Sequence, residues 1–123
     1  MPICFFIYEQ ELECKVNAMA NLDYALFMKR LEAGESIDET CFYFTDDPTE
    51  SEHYVGYLPQ YEKPYWVGYC DIPDGTEFYS AKELVDAKIF DGKSLRERWD
   101  DVCIVSIAGA DLETWMKYYI HEA

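Results

Sequence analysis

The sequence predicts a single α+β domain over residues 1–123, with a short, mostly antiparallel or mixed sheet of about five strands and helices packed on one face. The predicted order is β-α-β-β-β-α-α-β-α. Three observations predict it. The length suits one domain that buries roughly two thirds of its unfolded surface. The apolar and aromatic runs are short and bounded by Gly, Pro or acid clusters, as strands are. Segments of helical spacing alternate with these runs and carry recognisable caps.

Residues 3–8 (ICFFIY) suit a buried strand. Asn17 or Asn21 is placed to cap a helix that runs to about Ala33, because an Asn side-chain oxygen accepts from free N-terminal amides. Within it Leu22/Leu26 and Phe27/Leu31 repeat at i, i+4. Lys29 and Arg30 suit its C-terminal dipole, and Gly34 fits a left-handed terminator. Residues 41–45 (CFYFT) form a strand by composition. Residues 46–52 (DDPTESE) form an acidic loop.

Residues 54–70 contain an internal echo, YVGYLP followed twelve residues later by WVGYC. Tyrosines at 54, 57, 61, 65 and 69 follow helical spacing, but Pro59 and Pro64 rule against a helix. Two strands joined by a loop at 59–64 are predicted. A glycine inside each marks a bulge or a close backbone approach. Tyr65 and Trp66 occupy the most apolar part of this hairpin and are expected in the core. Residues 72–75 (IPDG) form a turn. Ser80–Glu83 and Ser94–Glu97 both match the capping box, opening helices to Ala87 and toward Trp99. Residues 102–107 (VCIVSI) are β-branched and uncharged, hence a strand. Asp111 caps a final helix whose stripe is Leu112, Trp115, Met116, Tyr119 and Ile120.

Charge is the feature that narrows function. The chain carries 25 acids against 10 bases, a formal net charge of −15. Residues 31–62 hold nine carboxylates and no Lys or Arg. Aromatic residues interleave with this charge, so the stretch reads as a folded surface rather than an acidic tail. Such a surface repels nucleic acid and attracts a basic protein. The bases that exist concentrate in 82–98, alongside four acids, so no net positive stripe is available for phosphate. No polybasic segment suggests an anionic membrane surface, and no apolar run nears the roughly 20 residues that span a bilayer.

Catalytic and metal motifs are thin. Residues 87–94 (AKIFDGKS) loosely match a phosphate-binding loop, but a helix rather than a strand precedes them, and Asp91 would face the phosphate. Neither the acids at 46–52 nor those at 71–77 follow the pattern of a calcium loop, alternating ligands with Gly sixth and Glu twelfth. Two histidines, His53 and His121, with no close Cys pair do not supply a structural zinc set. A pairing of Cys41 or Cys70 with His53 depends on the fold, and the acidity around it disfavours a thiolate. No cofactor and no metal are therefore expected. The five cysteines are odd in number and widely spaced. Cys4, Cys41, Cys70 and Cys103 read as reduced thiols in a cytoplasmic protein. Residues 1–8 lack the basic region of a signal peptide.

The expected function is a non-enzymatic acidic interaction module. Its sharpest form is a DNA-mimic or immunity-type inhibitor of a nucleic-acid-handling protein. Asp46, Asp47, Glu50 and Glu52 are the expected steering charges. Tyr54, Tyr57 and Tyr61 are the expected contact anchors. One alternative is a small enzyme or ligand binder with a Tyr/Trp-lined pocket between hairpin and helices. Another is an inactive subunit of a homo-oligomer or larger complex.

Overall fold

Asp23 begins the first described helix. The structure, a computed structural model, describes residues 22–120. The strand expected at 3–8, the caps Asn17 and Asn21, Cys4, Cys14 and His121 lie outside that range. The Asp23 carboxylate accepts from Leu26 N at 3.1 Å and so starts α1, Tyr24–Ala33. Gly34 ends it at φ 66°, a left-handed position that glycine adopts without a Cβ penalty. Phe27 and Leu31, one turn apart, are fully buried.

Five strands come after α1: β1 (Thr40–Phe44), β2 (His53–Tyr57), β3 (Tyr65–Gly68), β4 (Thr76–Phe78) and, late in the chain, β5 (Val102–Ile107). Their spatial order is β4-β3-β2-β1-β5 and every pair is antiparallel. The first four form a meander, and β5 returns to lie beside β1. This is the expected α+β class with a five-stranded sheet.

The register explains the sequence echo. Tyr54 lies opposite Gly68 and Gly56 lies opposite Trp66, so each glycine faces the other strand's aromatic residue. A Cβ at Gly56 would collide with the Trp66 indole and the Asp38 carboxylate. Glycine is therefore needed there for space.

Alternation along the strands separates two faces. Phe42, Phe44, Val55, Tyr65 and Val67 point toward the helices. They join Phe27 and Leu31 of α1, Leu84 and Val85 of α2 (Ala81–Asp86), and Trp115 of α3 (Leu112–Trp115) in one core. Burying a side chain of this size contributes about 1.5–3 kcal/mol. Tyr65 is in this core as expected. Trp66, its neighbour in an alternating strand, is not: it lies half-buried on the opposite face.

Three local differences from the sequence reading have physical causes. First, β4 is only three residues, too short to show a pattern. Second, the Ser94–Glu97 box forms both of its hydrogen bonds, Glu97 N to Ser94 Oγ at 3.1 Å and Ser94 N to Glu97 Oε1 at 3.0 Å. Yet no α-helix grows from it. The chain makes tight turns into a 3₁₀ segment, Trp99–Asp101. Asp100 and Asp101 would oppose a helix dipole at that end, and the β-branched run of β5 begins at once. Third, α3 gives way after four residues to a π turn, Met116–Ile120. The wider turn rotates the stripe, so Trp115 is buried while Met116 is 40% exposed.

Candidate functional site: an acidic cleft at one end of the sheet

The β1–β2 loop projects from the end of the sheet where β1 finishes, β2 starts and β3 finishes. There it meets the 69–71 segment and the connection between α2 and β5. Together they enclose a cleft of about 500 Å3. Acids reach it from three separate connections: Asp46 and Asp47, Asp71, and Asp91. Arg98 is the one Lys or Arg among the described lining residues.

Each acid is held differently. Asp46 pairs with Arg98 Nη2 at 2.5 Å, and the Arg98 guanidinium lies over the Phe44 ring at 3.7 Å. Asp47 shapes its own loop. Its Oδ1 accepts from Thr49 N (2.9 Å) and Thr49 Oγ1 (2.8 Å), and its Oδ2 accepts from Ser51 N (3.2 Å). The Thr49 bonds, with that from Ser51, hold its carboxyl below the usual carboxylate range. Asp71 Oδ2 accepts from Asp91 N at 2.7 Å and so ties two of the connections together.

His53 lies among aromatic rings. Its centroid is 5.2 Å from Phe90, 5.3 Å from Phe44 and 5.5 Å from Phe42. Its Nδ1 lies 2.5 Å from the Tyr69 carbonyl oxygen, which can only accept, so Nδ1 carries the proton and Nε2 is the acceptor. Burial pushes its pKa below the ordinary value, against the opposing pull of the Tyr69 carbonyl and Asp47. The imidazole is thus neutral at neutral pH. The cleft then holds four carboxylates against one guanidinium.

The residues expected to act together are divided. Asp46 and Asp47 line the cleft. Glu50 lies in the same loop and turns Oε2 away from solvent with no hydrogen-bond partner among the described residues. Glu52 accepts from Tyr54 OH at 3.4 Å on the sheet face opposite His53. There the phenol of Tyr54 is pushed up to about 12, chiefly by its hydrogen bond with Cys41. Tyr57 points to the helix side and packs on Tyr65 with centroids 4.9 Å apart. Tyr61 is exposed in the β2–β3 connection, at the far end of the strand from the acidic loop.

Sequence reasoning missed Asp71, Asp91, Arg98, Tyr69 and Phe90 as neighbours of this loop. The turn signals at 71–75 and 91–92 place acids on connections. No local signal says that those connections meet.

The thiols also separate. Cys70 lines the cleft with His53, but its hydrogen bond goes to the Ile72 carbonyl at 3.9 Å. Cys41 is buried on the other face, and burial pushes its thiol up. Both are free, whereas Cys103 is disulfide-bonded. The expectation of reduced thiols is therefore corrected at Cys103. Among the described residues no group of His, Cys, Asp and Glu is placed to hold a metal ion, and no helix is long and apolar enough to cross a membrane.

Fold and cleft together define a small α+β domain with an acidic, aromatic-floored cleft at one end of its sheet. Comparison with family models, with curated proteins and with solved structures finds no match.

Proposed function

We propose that this domain is a non-enzymatic interaction module whose acidic cleft receives a basic side chain of a protein partner. One observation supports the reading above others: acids from three connections, far apart in sequence, converge on one concavity that only Arg98 offsets among its described lining. Carboxylates suit a guanidinium, as Asp46 already pairs with Arg98. In the finer form of this reading the module is a DNA-mimic or immunity-type inhibitor. Its carboxylates stand in for phosphates on a nucleic-acid-handling protein, and no nucleic acid is bound directly. The compartment in this reading is cytoplasmic. The free thiols of Cys41 and Cys70 agree with that, and the Cys103 disulfide stands against it.

The test is capture of basic proteins from lysate by the intact chain and by a variant carrying Asp91→Lys, a change confined to the cleft lining. Asp91 is exposed, and its carboxylate is in no ion pair among the described residues. The captured partner's association rate is then measured at low and at physiological salt. The variant should associate about tenfold more slowly at low salt, with the gap narrowing as salt rises. Equal rates for the two proteins would refute the acidic cleft as the contact surface.

A further inference from the structure

A second cavity, of about 650 Å3, adjoins the acidic cleft and shares Tyr69 and Cys70 with it. Trp66 lines it, on the sheet face away from the helices. The indole Nε1 donates to Asp38 Oδ1 at 3.1 Å, and the ring occupies the space left by Gly56. The indole is thereby held in place by the fold itself. Directly across the β3–β4 pair stands Glu77. Facing residues of this kind have Cβ atoms roughly 5 Å apart, so the two side chains leave the sheet as neighbours on one face. Gly68 lies two residues along on the same face and leaves the space next to the ring open. A Cβ there would lie 3.5 Å from the indole Cζ3, in ordinary contact. Tyr69 turns out of β3 at φ 61° and is 72% exposed. Its ring packs on Tyr54 at 5.3 Å. Ile72 and Asp74 also line the cavity. Neither Asp74 nor Glu77 is in an ion pair among the described residues.

We propose that this cavity binds an alkylated ammonium group, a tertiary or quaternary amine. Aromatic faces attract a cation through their quadrupole, and a held indole with a neighbouring carboxylate is the chemistry that recognises quaternary ammonium. Three alternatives fit less well. An anion meets Asp74, Glu77 and a chain of net charge −15. A neutral apolar ligand leaves both carboxylates without a counter-charge while shielding them from water. A bare ammonium is strongly hydrated, and Asp74 and Glu77 replace only part of the water it loses against the Trp66 and Tyr69 rings and Ile72. Methyl groups on the nitrogen remove that loss and keep the charge. This cavity is distinct from the acidic cleft, and cation binding in it does not depend on a partner there.

The test is calorimetric titration of the full chain with choline and with a short peptide bearing trimethyllysine. Controls are the unmethylated peptide and a peptide whose quaternary nitrogen is replaced by carbon. The trimethylated peptide or choline should bind about tenfold tighter than both controls. The tighter of the two identifies whether the group arrives on a lysine or as a free small cation. Glu77→Gln, exposed on an edge strand, should weaken the cation several-fold with Tm unchanged, and leave capture of basic proteins by the acidic cleft intact. Trp66→Leu should abolish binding; if that variant fails to fold, Glu77→Gln still decides. Equal binding of the carbon isostere, equal binding of the unmethylated peptide, or no binding of any cation would overturn the proposal.

Discussion

His53 shows how one residue links the core to the cleft. It borders three phenylalanines on the helix side of the sheet, and it gives its Nδ1 proton to a carbonyl of the segment that forms the cleft wall. Burial disfavours its charged form and lowers its pKa in the folded state. The unfolded chain therefore takes up a proton first, near the ordinary value of 6.5. Between that pH and the lower folded value the unfolded state binds more protons, so stability falls as pH falls. Above 6.5 the contribution is fully present. Urea unfolding at closely spaced pH values from about 7.5 to 5 should show this decline, and His53→Gln should flatten it, because Gln has no proton to bind in that window. The same slope in the variant would assign the decline to carboxylates instead. The sequence could weigh His53 as a nucleophile's partner. It could not show that the ring lies among aromatics, since Phe42 and Phe44 reach it from β1 and Phe90 from a turn far down the chain.

At the scale of elements, local chemistry was legible wherever cause and effect lie within about one helical turn. Gly34 terminates α1, Ser80 caps α2 by accepting from Glu83 N at 3.1 Å, and Asp111 caps α3 by accepting from Thr114 N at 2.7 Å. The hairpin was legible because its two glycines break an apparent helical tyrosine pattern, and the register then gives each glycine a facing aromatic. Legibility failed at Ser94–Glu97, where the choice between helix and tight turn depended on the acids and the strand just downstream. It failed also at β4, a strand too short to carry a pattern. It failed for the candidate site for a stronger reason: Asp46 and Asp47 meet Asp71 and Asp91 only through the packing of three connections. The start of α1 permits a direct check. Asp23, not an earlier Asn, caps the described helix, and its carboxylate accepts from Leu26 N. Asp23→Ala should lower stability by about 0.5–2 kcal/mol in denaturant unfolding, while Asp23→Asn, which keeps an accepting oxygen, should lose much less. Equal losses for the two would mean that the negative charge, through the helix dipole, matters more than the hydrogen bond.

The whole molecule is dominated by uneven charge. Among the described residues the ion pairs are Arg30–Glu35, Lys82–Asp86, Arg96–Asp86, Lys88–Glu97 and Arg98–Asp46. Three of these five lie within residues 82–97, and the other two bring Arg30 and Arg98 to Glu35 and Asp46, leaving seven of the nine acids of the 31–62 stretch without an ion pair among the described residues. Exposed pairs of this kind contribute at most about 1 kcal/mol each, and often nothing measurable. Against them stand 25 acids facing 10 bases, an excess of fifteen negative charges in a small folded volume. Salt screens both the attractions and the repulsions, and the larger set determines the sign. At about 0.3 M the screening length is about 5–6 Å, which leaves close pairs partly intact while suppressing repulsion between more distant acids. Thermal unfolding should therefore shift upward between about 0.02 M and 0.3 M sodium chloride, by about 2–6 °C if the gain is about 1 kcal/mol. Glu52→Lys should raise the low-salt Tm and reduce the salt dependence, because it removes one repelling charge and adds an opposite one to the same stretch. A Tm that falls with salt would mean instead that the few ion pairs around Asp86, Glu97 and Arg98 outweigh the repulsion. The acidic surface would then be stable without a partner, and relief of charge repulsion would no longer contribute to binding a basic protein.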